Sequence, residues 1–238
     1  MQRRFLVVGE GSFAQQCAEM ACCGGAPAAA VSPDGSLEAF ATSVGVPHVR
    51  TREALAEFLT QHPVDYLFSL NNPLVITAEM LACVSGLAVN YHDSMLPAYA
   101  GLHATTWAIA AGESKHGVTF HEVVPDIDAG RILLQRAISV EADETAVSLN
   151  AKCFEAGLEL FDELLDRLNE GQVATRRQVG RRSYFGATHR PLGGGFLDSR
   201  LSADTLERLI RSLEFGPTPN PVALAKLATT DGVFVVRE

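Results

Sequence analysis

The sequence lacks any apolar run long enough to cross a lipid bilayer. Its N-terminal residues, Met1-Gln2-Arg3-Arg4, lead directly into a short strand pattern, with no small-residue cleavage site behind an apolar segment. Neither a secretory signal nor a membrane anchor is predicted. We therefore expect a cytoplasmic protein that does not bind membranes.

Cysteine is present, but not in an arrangement typical of disulfide frameworks or zinc sites. The number of cysteines is odd, and no two of them form a Cys-x-x-Cys pair. Disulfide-rich secreted domains use even numbers of cysteines, and zinc sites use closely paired ones. We expect reduced thiols and no metal site. The five cysteines are Cys17, Cys22, Cys23, Cys83 and Cys153.

Positively charged residues are also scarce: the sequence has 19 Lys and Arg residues and 28 Asp and Glu residues, which gives a formal net charge of −9. A nucleic-acid surface needs a concentration of lysine and arginine to contact phosphates, so no nucleic-acid partner is predicted. Hydrophobic residues, in contrast, make up 47% of the 238 residues. That content is sufficient for one full-sized domain with a smaller appendage.

Strand patterns alternate with helical patterns in the first part of the chain. The predicted strands are 5–8, 28–31, 66–70 and 87–90, and the predicted helices are 13–23, 37–44, 52–62 and 77–83. Alternation of this kind indicates a mainly parallel sheet with helices on both faces. The sequence thus predicts an α/β, Rossmann-like fold.

The second half adds two strand patterns, 117–124 and 131–140, and the longest helical pattern of the chain. Apolar residues recur every three or four positions from Val147 to Leu168, and Gly171 follows the last turn. Residues 171–197 then hold five arginines and no acidic residue. A helix over 203–215 and a strand over 233–236 are predicted beyond them, in what we expect to be a small C-terminal subdomain.

The first strand ends in Gly9-Glu10-Gly11-Ser12, which resembles only part of a dinucleotide-binding motif. Such a motif reads Gly-x-Gly-x-x-Gly, and here Ala14 occupies the place of the third glycine. The second strand pattern ends in Val31-Ser32-Pro33, without the acidic residue that binds a ribose. We interpret the glycines as a tight turn before a helix, and a dehydrogenase is not predicted.

An amide and an imidazole stand two residues apart at the end of the 87–90 strand, as Asn90 and His92. Ligands bind at the carboxyl ends of strands in open α/β sheets, and strand alternation directs both side chains to the same side. A histidine base works best beside a carboxylate, for which Asp128 is the candidate. Spacing alone leaves two interpretations open: a reacting trio, or a turn cap, a satisfied loop histidine and a solvated aspartate.

Taken in order, these elements resemble the folate-dependent formyltransferase family, whose active site combines Asn-x-His with a downstream Asp-x-Gly turn. The corresponding stretches are Asn90-Tyr91-His92 and Asp128-Ala129-Gly130. The stretch 92–101 resembles the family's His-x-Ser-Leu-Leu-Pro-x-Tyr-x-Gly, and Trp107 with Gly117-Val118-Thr119 continues the match. The resemblance covers residues 9–169. It implies the formyltransferase fold, with a catalytic domain over 1–176 and a small C-terminal subdomain over 177–238.

Within that family, the sequence most resembles the N-terminal formylation domains of some nonribosomal peptide synthetases. Several stretches carry this likeness, and some of them lie in the C-terminal part. They are Gly9-Glu10-Gly11-Ser12, Gln16-Cys17-Ala18-Glu19, Asp65-Tyr66-Leu67-Phe68-Ser69, Ser148-Leu149-Asn150-Ala151-Lys152-Cys153, Arg182-Ser183-Tyr184-Phe185-Gly186 and Phe215-Gly216-Pro217.

The resemblance implies transfer of a formyl group from 10-formyltetrahydrofolate to a primary amine. Asn90 and His92 would stabilise the developing oxyanion, and His92, held by Asp128, would help to take the proton of the amine. The family likeness also predicts where the pterin of the folate lies. The residues expected there are Phe68, Ser69, Leu70, Asn71, Leu87, Val124, Asp126 and Ile127.

For the acceptor amine, the likeness to peptide synthetases predicts an aminoacyl group on a peptidyl carrier protein. A nucleotide-linked amino sugar is the alternative, and a non-catalytic folate-binding module is a third possibility. Methionyl-tRNA formylation is disfavoured by the acidic charge and by the lack of room for a further tRNA-binding domain. The arginine run 176–190 has two interpretations: it docks an acidic carrier, or it pairs with acidic residues such as Glu155, Glu159 or Asp162.

Overall fold

A computed structural model describes residues 3–217 and 220–236, so that residues 1, 2, 218, 219, 237 and 238 lie outside it. The strands are β1 (Arg3–Gly9), β2 (Gly25–Val31), β3 (His48–Val49), β4 (Val64–Leu70), β5 (Val84–His92), β6 (Ala100–Gly101), β7 (Lys115–Glu122), β8 (Ile132–Ser139), β9 (Tyr184–Phe185), β10 (Lys226–Thr229) and β11 (Gly232–Val235). The α-helices are α1 (Gly11–Ala21), α2 (Glu38–Val44), α3 (Arg52–Gln61), α4 (Ala78–Leu81), α5 (Ala104–Ala111), α6 (Ala146–Glu170) and α7 (Ala203–Ser212).

Contacts within the chain divide the described residues into two units. The first contains residues 3–92, 119–135 and 157–179, and the second contains 93–118, 136–156, 180–217 and 220–236. Both units are therefore assembled from separated segments of the chain. The predicted division between residues 176 and 177 stays a prediction.

The first unit is built around a seven-stranded sheet in the order β3-β2-β1-β4-β5-β7-β8, in which β7 and β8 take part through residues 119–122 and 132–135. The pairs β1–β2, β2–β3, β1–β4 and β4–β5 are parallel, and β5–β7 is antiparallel. The predicted mainly parallel α/β sheet is confirmed. The antiparallel β5–β7 pair was not predicted from the sequence.

Helices cover both faces of this sheet, as the sequence predicts. Leu67 and Phe68 are consecutive residues of β4, so their side chains point to opposite faces. Leu67 belongs to a buried aliphatic cluster that includes Leu55 of α3. Phe68 instead contacts Phe161 of α6 edge to face, with ring centroids 5.2 Å apart. One strand thus buries apolar side chains against a helix on each side.

The second unit has a core of its own, where α5 packs against α7. Trp107 of α5 lies with Leu209 and Leu213 in a buried cluster. The ring of Phe185 stacks on that of Trp107, with centroids 4.6 Å apart, and on that of Tyr99 at 5.9 Å. This unit also contains the antiparallel hairpin of β10 and β11. The sequence predicts α7 and β11, but not α5 or β10.

Gly9 shows why the first strand ends in glycine. It pairs with Leu70 of β4, and a Cβ atom built on Gly9 would lie 1.9 Å from the Leu70 carbonyl oxygen. Helix α1 begins two residues later at Gly11, whose N–H donates to the Ser36 hydroxyl at 2.9 Å. The glycines therefore form a tight turn between a strand and a helix, as interpreted from the sequence.

We expect Gly9→Ala to lower the free energy of unfolding by about 2 to 3 kcal/mol, because the methyl group would push β1 away from β4. Gly45→Ala is the matched control. Gly45 has a φ of 72° and no atom within 4 Å of the position that a Cβ would take, so only left-handed backbone strain of about 1 kcal/mol is expected. Urea denaturation of both variants measures the difference. A loss at Gly9 no larger than that at Gly45 would contradict the close-approach argument.

Candidate active site

The candidate site is built on the carboxyl end of β5, where Asn90 and His92 point to the same side of the strand. Strand β5 lies between β4 and β7 in the sheet. Asn90 is therefore flanked by Ser69 of β4 on one side and His121 of β7 on the other. This pairing brings an amide, a hydroxyl and two imidazoles to one edge of the first unit.

Hydrogen bonds fix the orientation of the Asn90 carboxamide. Its Oδ1 accepts from the Ser69 hydroxyl at 2.7 Å, and that hydroxyl accepts from Asn72 Nδ2 at 3.1 Å. On the other side, Asn90 Nδ2 donates to the Tyr91 carbonyl at 2.8 Å and lies 3.1 Å from His121 Nε2. The N–H edge of the amide therefore faces His121.

Asp128 completes the predicted trio from the loop between β7 and β8. One carboxylate oxygen lies 3.7 Å from Nδ1 of His92, and the other lies 3.4 Å from Nε2 of His121. The side chain of Asp128 is only 11% exposed, and that of His92 is 6% exposed. The arrangement thus differs from a solvated turn aspartate and a loop histidine. It places one carboxylate between two imidazole rings.

The backbone of the Asp128 loop is held in an unusual conformation. Asp128 has a φ of 48°, in the left-handed region that disfavours most residues. Gln178 Nε2 donates to the carbonyls of Asp128 and Gly130, each at 2.8 Å. A Cβ atom on Gly130 would lie 1.8 Å from the Glu122 carbonyl, so only glycine fits there. Sequence reasoning identified the glycine but missed Gln178.

His121 is the second residue that sequence reasoning missed. It is 3% exposed and contacts both Asn90 and Asp128, while its Nδ1 lies 2.8 Å from the Glu122 carbonyl. The strand pattern over 117–124 includes this histidine. Nothing in the sequence indicates that the strand runs antiparallel to β5 with Asn90 and His121 opposite each other.

The residues predicted to contact folate all lie in the first unit, on β4, on β5 or in the loops that follow β4 and β7. Phe68 and Leu70 are buried, and Ser69 belongs to the Asn90 network. Others are accessible, notably Ile127, which is 56% exposed. Their role in folate binding stays a prediction. The remaining members of the set are Asn71, Leu87, Val124 and Asp126.

Other features of the sequence have local roles. Within residues 3–217 and 220–236, no group of three or more His, Cys, Asp or Glu residues could hold a metal ion, and no helix could span a membrane. The five cysteines are free, and burial raises the pKa of Cys17 and Cys153. In the arginine run, Arg176 donates to Gln135, and Arg190 donates to two backbone carbonyls of its own loop.

Comparisons with known proteins identify the family to which the chain is related. Residues 27–165 match the family described as Formyl transferase. A GDP-perosamine N-formyltransferase of Brucella melitensis is 34% identical over 170 residues, which cover 71% of this chain and 64% of that protein. The match thus spans slightly less than two thirds of the length of the curated relative.

Solved structures share the fold. A sugar N-formyltransferase from a Shewanella species superposes with a TM-score of 0.78 at 17% identity, covering 99% of this chain and 97% of that one. An N-formyltransferase from Helicobacter canadensis, solved with folinic acid and dTDP-3-aminofucose, has a TM-score of 0.72 at 21% identity, covering 94% and 87% of the two chains.

These comparisons correct the prediction of a nonribosomal peptide synthetase domain acting on a carrier-bound aminoacyl group. The curated relative is named for GDP-perosamine, the Shewanella protein is named for a sugar, and the Helicobacter protein was solved with dTDP-3-aminofucose; none of the three is named for a carrier protein. The predicted acceptor is therefore wrong, and so is the predicted carrier partner. The interpretation of the arginine run as a carrier-docking surface loses its basis with them.

We expect Gln178→Leu to loosen the Asp128 loop, because it removes the donor that bridges the Asp128 and Gly130 carbonyls. Hydrogen exchange at the Ala129 amide, which donates to the Asp126 carbonyl, should accelerate about tenfold while the melting temperature changes little. Gln172→Leu, at an exposed position of the same connecting segment, serves as the control and should leave exchange unchanged. Unaltered exchange in Gln178→Leu would show that the loop holds its shape without this side chain.

Proposed function

Because this chain belongs to the formyl transferase family, we propose that it transfers the formyl group of 10-formyltetrahydrofolate to the amino group of a nucleotide-linked amino sugar. The observation that carries the proposal is the convergence of Asn90, His92 and Asp128 within one unit. The proposal that the acceptor is an amino sugar is based on the names of the relatives and on the ligand of one of them. This acceptor replaces the carrier-bound aminoacyl group predicted from the sequence.

The chemistry of the side chains suits this reaction. The folate is a substrate that supplies the formyl carbon, which the acceptor amine attacks, so that negative charge develops on the formyl oxygen. The two N–H groups of the Asn90 amide point to the Tyr91 carbonyl and to His121 Nε2, and the formyl oxygen would take or share the one that now faces the Tyr91 carbonyl as its charge appears. Ile127, exposed beside Asp128, offers an apolar surface to a planar heterocycle.

His92 is the group that can move the proton. Its Nδ1 faces Asp128, and Nε2 is the ring nitrogen that would accept a proton from the attacking amine. The Asp128 carboxylate stabilises the imidazolium that results. As the bond from the formyl carbon to the folate nitrogen breaks, the same proton can pass to that nitrogen. The enzyme then returns to its starting protonation state.

Mass spectrometry of the purified protein tests the proposal. The protein is incubated with 10-formyltetrahydrofolate and, separately, with GDP-perosamine, dTDP-3-aminofucose, the corresponding free amino sugars and a carrier-bound aminoacyl group. A gain of one formyl group on a nucleotide-linked sugar is expected. Formylation of the carrier-bound group alone, or of none of these amines, would overturn the proposed function.

We expect Asp128→Asn to lower kcat by about a hundredfold or more, because the amide cannot balance a cationic His92. Folate affinity, measured by calorimetry, should change little. Asp166→Asn, at an exposed carboxylate on α6, makes the same chemical change away from the site and should retain full activity. A normal kcat for Asp128→Asn would remove Asp128 from the mechanism.

Asn90→Ala is expected to reduce kcat rather than to raise KM. Its donor acts on charge that exists only near the transition state, so substrate binding does not depend on it. Steady-state kinetics with both substrates varied separates the two effects. A raised KM with an unchanged kcat would indicate that Asn90 binds substrate and does not stabilise the transition state.

A further inference from the structure

His121 has a buried position from which it can act on the candidate site. It lies directly opposite Asn90 in the antiparallel β5–β7 pair and is 3% exposed. Both of its ring nitrogens have polar neighbours. Nδ1 contacts the Glu122 carbonyl, and Nε2 contacts the Asn90 amide and the Asp128 carboxylate. The ring is therefore fixed on two sides by atoms of the same unit.

These contacts select one tautomer of the ring. A carbonyl oxygen can only accept, so Nδ1, which lies 2.8 Å from the Glu122 carbonyl, must carry a proton. The Asn90 nitrogen can only donate, so Nε2, which lies 3.1 Å from it, must present a lone pair. Both requirements are met by the neutral Nδ1–H form.

The same contacts select one orientation of the Asn90 amide. In the observed orientation Oδ1 accepts from Ser69, and Nδ2 faces the Tyr91 carbonyl and His121. A flipped amide would put its oxygen against the Tyr91 carbonyl and the Nε2 lone pair, both of which are acceptors. We propose that His121 is a positioning residue: by accepting one N–H of Asn90, it keeps Oδ1 on the Ser69 side and leaves the second N–H available to the formyl oxygen.

This inference rests on the proposed function, because the positioned amide matters for turnover only if Asn90 binds the formyl oxygen. A second proton on the ring would turn Nε2 into a donor toward Asp128, 3.4 Å away, and would remove the acceptor that holds Asn90. The neutral ring is thus the form that positions the amide. His121 acts through Asn90 and does not itself touch the reacting atoms.

Substitution of His121 by asparagine or by glutamine distinguishes the roles of its two ring nitrogens. An asparagine at this position places its amide near Nδ1, whereas the longer glutamine places an acceptor near Nε2. We expect His121→Asn to keep the bond to the Glu122 carbonyl and to lower kcat about tenfold or more, with KM for both substrates changed less than about threefold. His121→Gln should recover most of the lost kcat. Equal losses in both variants would contradict positioning through Nε2.

A double-mutant cycle tests whether His121 acts through Asn90. In an Asn90→Ala background, His121→Asn should reduce kcat by less than about twofold further, because the group it positions is already absent. Multiplicative losses would show that His121 has an independent role and would overturn the proposal.

NMR separates this inference from the proposed function, because it needs no substrate. The ¹⁵N signals of His121 in the wild-type protein at neutral pH should be those of the neutral Nδ1–H tautomer. The Asn90 side-chain amide signals should shift in His121→Asn and stay close to wild type in His121→Gln. An Nε2–H or charged ring, or unchanged Asn90 signals in His121→Asn, would overturn the inference even if the enzyme formylates sugars. If no amine is formylated but the NMR result holds, only the proposed function fails.

Discussion

The antiparallel pairing of β5 with β7 determines where the polar groups on these two strands lie. Its register sets Asn90 opposite His121 and His92 opposite Thr119, while the parallel pairing with β4 sets Ser69 beside Asn90. A shift of one residue would turn these side chains to the other face of the sheet. The apolar residues that alternate with them include Tyr91 and Phe120, whose ring centroids lie 5.5 Å apart. Core packing therefore holds the register on which the site depends.

Local patterns predicted most of the fold, and their failures have physical causes. The strands that alternate with helices and the long amphipathic α6 show a regular spacing of apolar residues in the sequence. Helix α5 is buried on nearly all sides, so no polar face gives its sequence a helical periodicity. Asn90, His92 and Asp128 could be predicted as site residues because each stands near a strand end in a short motif. His121 and Gln178 act across strand pairs and distant segments, and neither strand register nor long-range contacts can be read from neighbouring residues.

The wrong acceptor has a similar explanation. One stretch that carried the likeness to peptide synthetases is residues 182–186, and the structure places Phe185 between Trp107 and Tyr99 in the core of the second unit. Ser183 accepts a hydrogen bond from the Tyr99 backbone N–H. These residues stabilise the packing of that unit. Sequence similarity at these residues therefore reflects the packing of the second unit, and it gives little information on which amine is bound.

The position of one carboxylate between two imidazole rings also implies that the two histidines have different roles. In the mechanism that we propose, His92 gains a positive charge beside Asp128 when it accepts the proton of the amine, and a second imidazolium at His121 would be repelled by the first. His121 avoids that conflict because its contacts with Glu122 and Asn90 favour the neutral ring. On this proposal, the charge of Asp128 stabilises the histidine that moves the proton, and the lone pair of the other histidine orients the amide. The two functions can coexist in one small site because they use different properties of chemically identical side chains.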